Sequence, residues 1–346
     1  MAENRLTEVA GHWLPRMEVA GIPSATARAV MDEAGTWENW CRAWSEAAEH
    51  HAAIGARAEA AGHTLTAGEA YARAALMNHF AQFMFFDDLD QKAAATTRKL
   101  AYYERAAPFL APPAHRLTIP FEGDALHAYQ RVPAAPRGTV ILVPGSDSTK
   151  EEFGALEENF LKRGMATVSL DGPGQGEGRA LGPLRADISS ALRALLDALT
   201  DAARYGGVGL VGMAFGGHLA LRAAAALPEL AAVVSINGFF ELAGMWPAFP
   251  PVYRDNMRYA LGGVDAADAE ARAAAFTLAG APPPACPALV LHGGRDRIFP
   301  PEEAKRQADW AGGSAALHIF PDGNHVCNNI PWHYRPMVAD WIADRL

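Results

Sequence analysis

The sequence predicts a doubly wound, mostly parallel α/β sheet with an all-helical domain ahead of it and a cap insertion over the sheet. Three observations carry that expectation. From Asn4 to about Leu110 apolar residues recur every three or four positions, with little Gly or Pro. Pro108, Pro112 and Pro113 then break the helical text. Beyond them, short continuous apolar runs alternate with helical segments, as in a parallel sheet covered on both faces. The expected division is a helical domain over residues 1–110 and an α/β domain over residues 111–346.

Within the helical domain the most apolar helix is expected from about Glu69 to Phe86. It is apolar nearly all round, so more than one face should be covered, and it is expected to help roof a site in the second domain. An antiparallel hairpin is expected at Arg116–Ile119 and Leu126–Val132 around Glu122-Gly123-Asp124. Strands follow at Thr139–Val143, Ala166–Leu170, Val208–Val211, Ala231–Ile236, Ala288–Leu291 and Ala315–Phe320. The intervening helices are expected at about Lys150–Arg163, Pro183–Tyr205, Phe215–Ala226, Pro301–Ala311 and Trp332–Arg345. Phe239–Pro284, rich in aromatics and prolines, interrupts the alternation and reads as an insertion over the C-terminal edge of the sheet, where such folds place ligands.

Composition excludes several function classes. Of 346 residues, 50% are hydrophobic and 20% charged, which suits a globular chain and argues against disorder or a coiled coil. Thirty basic against 39 acidic side chains, net −9, leave no basic surface for nucleic acid. Cys41, Cys286 and Cys327 fit neither a zinc knuckle nor a disulfide framework, so no metal is implied and a reduced, cytoplasmic setting is expected. Met1–Pro15 lacks an apolar signal region, and the most apolar stretch, His218–Phe240, is interrupted by Arg222, Pro228 and Glu229; no membrane partner is expected. A homodimer through the helical domain is compatible with the sequence and not required by it.

The chemistry is concentrated in Val208–His218, VGLVGMAFGGH: an apolar strand, a sharp Gly-rich turn and an Ala-rich helix. This is the layout of a nucleophile elbow, G-x-S-x-G, with alanine at the central position, Ala214. Asp296 follows 82 residues later, just past a strand and a Gly turn, and His325 lies 29 residues beyond it in the loop after another strand. Nucleophile, acid and histidine thus come in the chain order of a hydrolytic triad, each on a loop at a strand end. An oxyanion needs two backbone N–H donors, expected from Phe215 and from Ser146 in the loop after the early strand. Asp171-Gly172-Pro173-Gly174-Gln175-Gly176 lacks a phosphate-binding Lys-Ser/Thr pair and reads as a loop beside the site. Phe239, Trp246 and Tyr253 of the insertion, with Phe83 and Phe86 of the helical domain, are candidates for binding a bulky aromatic substrate, or else for joining the two domains. Glu241 is either a second acid near the site or a solvated loop carboxylate.

Tyr71–Phe86, Gly145-Ser146-Asp147-Ser148-Thr149-Lys150-Glu151-Glu152, the Asp171–Gly176 loop, Gly212–Gly217, His292-Gly293-Gly294-Arg295-Asp296 and Asp322-Gly323-Asn324-His325-Val326-Cys327 together resemble the α/β-hydrolase superfamily. More narrowly they resemble its group with an N-terminal helical domain, which includes dihydroxypseudooxynicotine hydrolases, FrsA-like esterases and fungal polyketide-shortening hydrolases. The resemblance implies a Ser-Asp-His triad acting on a small-molecule carbonyl substrate without metal or cofactor, and in some members cleavage of a C–C bond beside a ketone. Ala214 departs from it. It admits two accounts, a serine replaced by design or a natural paralogue that lost hydrolysis and binds ligand only; retention of every other part favours the first. C–C hydrolysis, ester hydrolysis and Claisen- or Dieckmann-type cyclisation from the same acyl-enzyme remain open at this point.

Overall fold

The computed structural model describes residues 2–199 and 205–346. The chain forms two compact units, one of Met1–His115 with Glu151–Ala155, the other of Arg116–Lys150 with Leu156–Leu346.

The first unit contains α1 (Ala2–Ala20), α2 (Ser24–Ala34), α3 (Trp40–Ala60), α4 (Thr64–Gln82) and α5 (Leu89–Ala106). α4 packs against both α3 and α5, which is why its sequence is apolar on nearly every face. Gly55 of α3 makes one of these approaches possible, since a Cβ there would sit 2.7 Å from the Tyr71 ring. Trp37, Trp40, Trp44, Phe80 and Phe85 form a chain of ring contacts through the interior. The segment Glu151–Ala155 brings two paired acids: Glu152 receives a bidentate pair from Arg16 at 2.6 and 2.7 Å and lies 3.3 Å from His79 Nε2. Glu151 accepts from Lys99 Nζ at 2.7 Å. Burial opposes ionisation of Glu152, but Arg16 and His79 outweigh it and hold the carboxyl well below its ordinary range.

Three helix expectations are corrected, two of them in this part of the chain. The apolar helix ends at Gln82 and not at Phe86, because Phe83 is extended and Met84 takes φ 52°. The helix expected over Lys150–Arg163 is a 3-10 turn at Lys150–Glu152 followed by α6 (Gly154–Leu161). Lys150 and Glu151 are buried and Glu152 is partly buried, all three in ion pairs, where an exposed first helical turn would have left them solvated.

The second unit is built on one eight-stranded sheet in the order β1-β2-β4-β3-β5-β6-β7-β8: β1 Ala114–Phe121, β2 Asp124–Arg131, β3 Gly138–Val143, β4 Met165–Asp171, β5 Gly207–Met213, β6 Ala232–Ile236, β7 Ala288–Gly293 and β8 Ala315–Phe320. β1 and β2 are joined by Glu122-Gly123, both at positive φ, which suits a two-residue hairpin turn. β2 pairs antiparallel with β4, and every later pairing is parallel. The six strands expected after the hairpin lie within two residues of their predicted bounds. The connecting helices are α7 (Ser189–Ala198), α8 (Phe215–Ala224), α9 (Pro251–Leu261), α10 (Ala266–Ala273), α11 (Pro301–Ala311) and α12 (Pro331–Ala343). The helix expected from Pro183 starts only at Ser189; ahead of it Leu184 N–H bonds to Ala260 O on α9 and ties that segment to the insertion; residues 200–204 of that expectation lie outside the described residues. α9 and α10 belong to the insertion between β6 and β7, closed at its base by the Glu241–Thr277 bridge. Among the described residues no helix is long and apolar enough to cross a membrane.

Candidate active site

Because β3, β5, β6, β7 and β8 run parallel, the loops leaving their C-terminal ends share one rim of the sheet. Ala214 follows β5 at φ 51°, ψ −119°, a region that costs a non-glycine residue about 1–3 kcal/mol. The surrounding glycines permit it. A Cβ on Gly212 would lie 2.0 Å from Gly216 O, and one on Gly216 would lie 2.3 Å from Val143 O. Ala214 N–H donates to Ile236 O at 2.8 Å, and Gly217 N–H returns to Ala214 O at 2.9 Å. Phe215 is the first residue of α8, where an N–H has no acceptor within the helix.

Asp296 and His325 lie together: His325 Nδ1 donates to Asp296 Oδ2 at 2.8 Å. Asp296 also accepts from Ile298 N–H at 2.8 Å, Phe299 N–H at 3.1 Å and Asn237 Nδ2 at 2.7 Å. Burial works to raise its pKa, yet His325, His292 and the Asn237 amide prevail and keep it lowered, so the acid is a carboxylate. His292, 3.7 Å from the same oxygen, is driven toward its neutral form by burial and donates instead to Phe299 O. Asn329 props the histidine loop from behind, accepting from Asn324 N–H and donating to Asp322 O, both at 2.8 Å.

The β3 loop reaches the elbow directly: a Cβ on Gly145 would sit 3.6 Å from Ala214 Cβ. Ser146 Oγ accepts from Asn256 Nδ2 of α9 at 2.9 Å. Behind the loop, buried Lys150 binds Asp171 at 2.9 Å through Nζ and again through its backbone N–H. Arg116 and Lys150 hold Glu177 ionised against its burial, down to about 2.

Phe239, Trp246 and Tyr253 are at most 4% exposed. Phe239 stacks on His218 and packs with Phe215 and Phe299; Tyr253 meets Phe249 and Phe299, whose ring stands 5.5 Å from His325. Trp246 lies 6.2 Å from Phe249. In the helical unit, Phe83 packs against Trp13 and Phe80 under the Arg16 guanidinium, and Phe86 lies under Lys92. Glu241 is a half-exposed partner of Arg306 at 3.1 Å. The buried acid nearby is Glu303, which accepts from the N–H groups of Phe240 and Glu241. The sequence singles out neither Asn237 nor Asn256, and Gln175 only as one residue of a loop beside the site. Of these only Asn237 carried a signal, an Asn-Gly pair directly after a strand, and it adopts φ 50°.

Residues 140–339 match the model of the alpha/beta hydrolase family. The chain belongs to that family. It is 35% identical over 324 residues to 2,6-dihydropseudooxynicotine hydrolase of Paenarthrobacter nicotinovorans, covering 89% of this chain and 84% of the relative. It is 34% identical to alpha/beta hydrolase xenA of Xenoacremonium sinensis over 59% of this chain, and spans about half, 52%, of that fungal relative's length. The crystal structure of a 2,6-dihydroxy-pseudo-oxynicotine hydrolase superposes with a TM-score of 0.87 at 32% identity, covering 96% of this chain and 95% of the other.

Proposed function

We propose that this alpha/beta hydrolase is built for serine-type acyl chemistry on a carbonyl of a bulky aromatic or polyketide-like small molecule, and that Ala214 occupies the nucleophile position. One combination carries the reading: a non-glycine residue at positive φ inside a glycine frame, on the same rim as an Asp–His pair at 2.8 Å. With serine at 214, its Oγ attacks the carbonyl while His325 Nε2 takes the proton and Asp296 steadies the imidazolium. The N–H groups of Phe215 and Ser146 receive the oxyanion. When the bond broken is C–C in a 1,3-diketone, the leaving enolate carbon takes the proton from His325; when it is an ester, the alkoxide does. Water then cleaves the acyl-enzyme with His325 again as base. As written, the chain keeps the charge-stabilising parts and lacks the attacking oxygen, so it binds without turning over.

The likeness to a hydrolase named for 2,6-dihydropseudooxynicotine supports hydrolysis over cyclisation. Ala214 itself supports the second reading, a binding protein derived from a hydrolase.

The test is Ala214→Ser. The chain as written should hydrolyse p-nitrophenyl esters at background. The serine protein should show a burst, a fluorophosphonate adduct by mass, and a gain of about 10⁶ in kcat, the scale on which triad members act together. A folded Ala214→Ser protein that forms no adduct overturns the triad assignment. Screening it against aryl 1,3-diketones and aryl esters separates the bond classes.

A further inference from the structure

Gln175 lies in the loop after β4, is 1% exposed, and spends its whole side-chain amide on backbone groups. Its Nε2 donates to Pro144 O in a very short contact and to Gly145 O at 3.1 Å. Its Oε1 accepts from Gly172 N–H at 3.1 Å. These partners fix which end of the amide is nitrogen, since a flipped amide would set its oxygen against two carbonyls and its NH₂ against an N–H.

The consequence follows from peptide geometry. In a trans peptide the C=O and N–H bonds point in opposite directions across one plane. Gly145 C=O and Ser146 N–H belong to the same peptide. Holding the carbonyl back toward Gln175 aims the Ser146 N–H the other way. On that loop a Cβ added to Gly145 would lie 3.6 Å from the Ala214 Cβ, so the loop passes close to the elbow, and the Ser146 side chain is held separately by Asn256. Gly172, facing Gln175 Oε1, would place a Cβ 2.8 Å from it, so the amide occupies a slot with little room for another pose.

We infer that Gln175 is the positioning residue of the oxyanion site: by gripping the Pro144 and Gly145 carbonyls it aims the Ser146 N–H at the oxygen of the substrate carbonyl. The inference rests on the serine-hydrolase reading above and deepens it, assigning a role to a loop that reading leaves idle. A misaimed donor costs little in the ground state and most in the tetrahedral state, where charge has moved onto that oxygen.

The experiment is done in the Ala214→Ser protein with Gln175→Met, which keeps length and loses both donors, and Gln175→Glu, which keeps shape and repels both carbonyls. With a p-nitrophenyl ester, kcat should fall by about ten- to a hundredfold, somewhat less than deleting an oxyanion donor outright, with KM nearly unmoved. Affinity for an arylboronic acid, which forms a tetrahedral adduct, should fall in parallel, while affinity for the matching non-covalent aryl ketone holds. Labelling of Ala214→Ser together with unchanged kcat and boronate affinity in both Gln175 variants overturns the inference and leaves the hydrolase reading intact. Failure of Ala214→Ser itself to label removes the reading and the inference with it. Should neither Gln175 variant fold, the boronate adduct of Ala214→Ser is solved by crystallography. Its oxygen should lie within hydrogen-bond distance of Ser146 N and Phe215 N, and an oxygen bound elsewhere overturns the assignment.

Discussion

The two halves of the candidate site are held by different physics. The elbow is a backbone object: Gly212, Gly216 and Gly217 bring main chains so close that a Cβ on Gly212 or Gly216 would collide with main-chain atoms and one on Gly217 would crowd the Ser235 hydroxyl, and the side chain at 214 takes no part in holding the turn. The acid–base half is a side-chain object. Asp296 is its hub, with four donors converging on one buried carboxylate. An alanine can therefore stand at the tip of the elbow with the strained φ intact, whereas the same truncation at Asp296 would strand donors in the interior.

That contrast can be broken by measuring stability across the site. The largest effect is expected at Gly216→Val, whose Cβ would meet the carbonyls of Val143 and Pro144 at 2.3 and 2.5 Å. A loss of about 4 kcal/mol or more, or no folded protein, is expected, and a stable Gly216→Val protein would show that the elbow has slack. Asp296→Ala should cost about 3 kcal/mol in denaturant unfolding, because buried donors lose their acceptor; in the Ala214→Ser background it should also cut kcat about 10⁴-fold. A full loss of activity at unchanged stability would make Asp296 replaceable in the fold.

A smaller effect concerns pH. Burial pushes His218 down to about 3, opposed by its bond to Phe239 O. The unfolded chain takes up this proton below about 6.5 and the folded chain does not until about 3, so stability falls as pH falls across that window. His292, also lowered by burial, adds with the same sign. His218→Phe should shrink the difference in Tm between pH 7 and pH 5, and an unaltered difference would assign the acid sensitivity elsewhere. The smallest effect is Ala214→Ser itself, expected to move stability by no more than about 0.5 kcal/mol. A large shift in either direction would mean that the side chain at 214 does take part in holding the turn.

The parts of this architecture written in the sequence are those encoded by neighbours along the chain. Strand bounds, the Gly-x-Ala-x-Gly turn, and the positions of Asp296 and His325 each follow from runs of fewer than a dozen residues. Gln175, Asn256 and Lys150 were not legible in these roles, because each acts on a partner 21 to 110 residues away. No period or spacing marks such a pairing. The helix that ends early at Gln82 fails for a related reason: Phe83 remains apolar and buried after leaving the helix, so the hydrophobic pattern continues past the point where the backbone turns.

The discontinuous helical unit bears on how the chain is made. Its first 115 residues contain Arg16, His79 and Lys99, but their acid partners Glu151 and Glu152 leave the ribosome only after residues 116–150, which belong to the other unit. An N-terminal domain emerging early in translation would ordinarily fold as a unit before the rest appears. Here the nascent helices hold Arg16, His79 and Lys99 before Glu151 and Glu152, the acids that face them in the finished protein, have been made. The helical unit is completed only once three strands of its neighbour, β1, β2 and β3, have been synthesised, and a gene fragment cut at residue 115 should yield a protein that aggregates or is degraded.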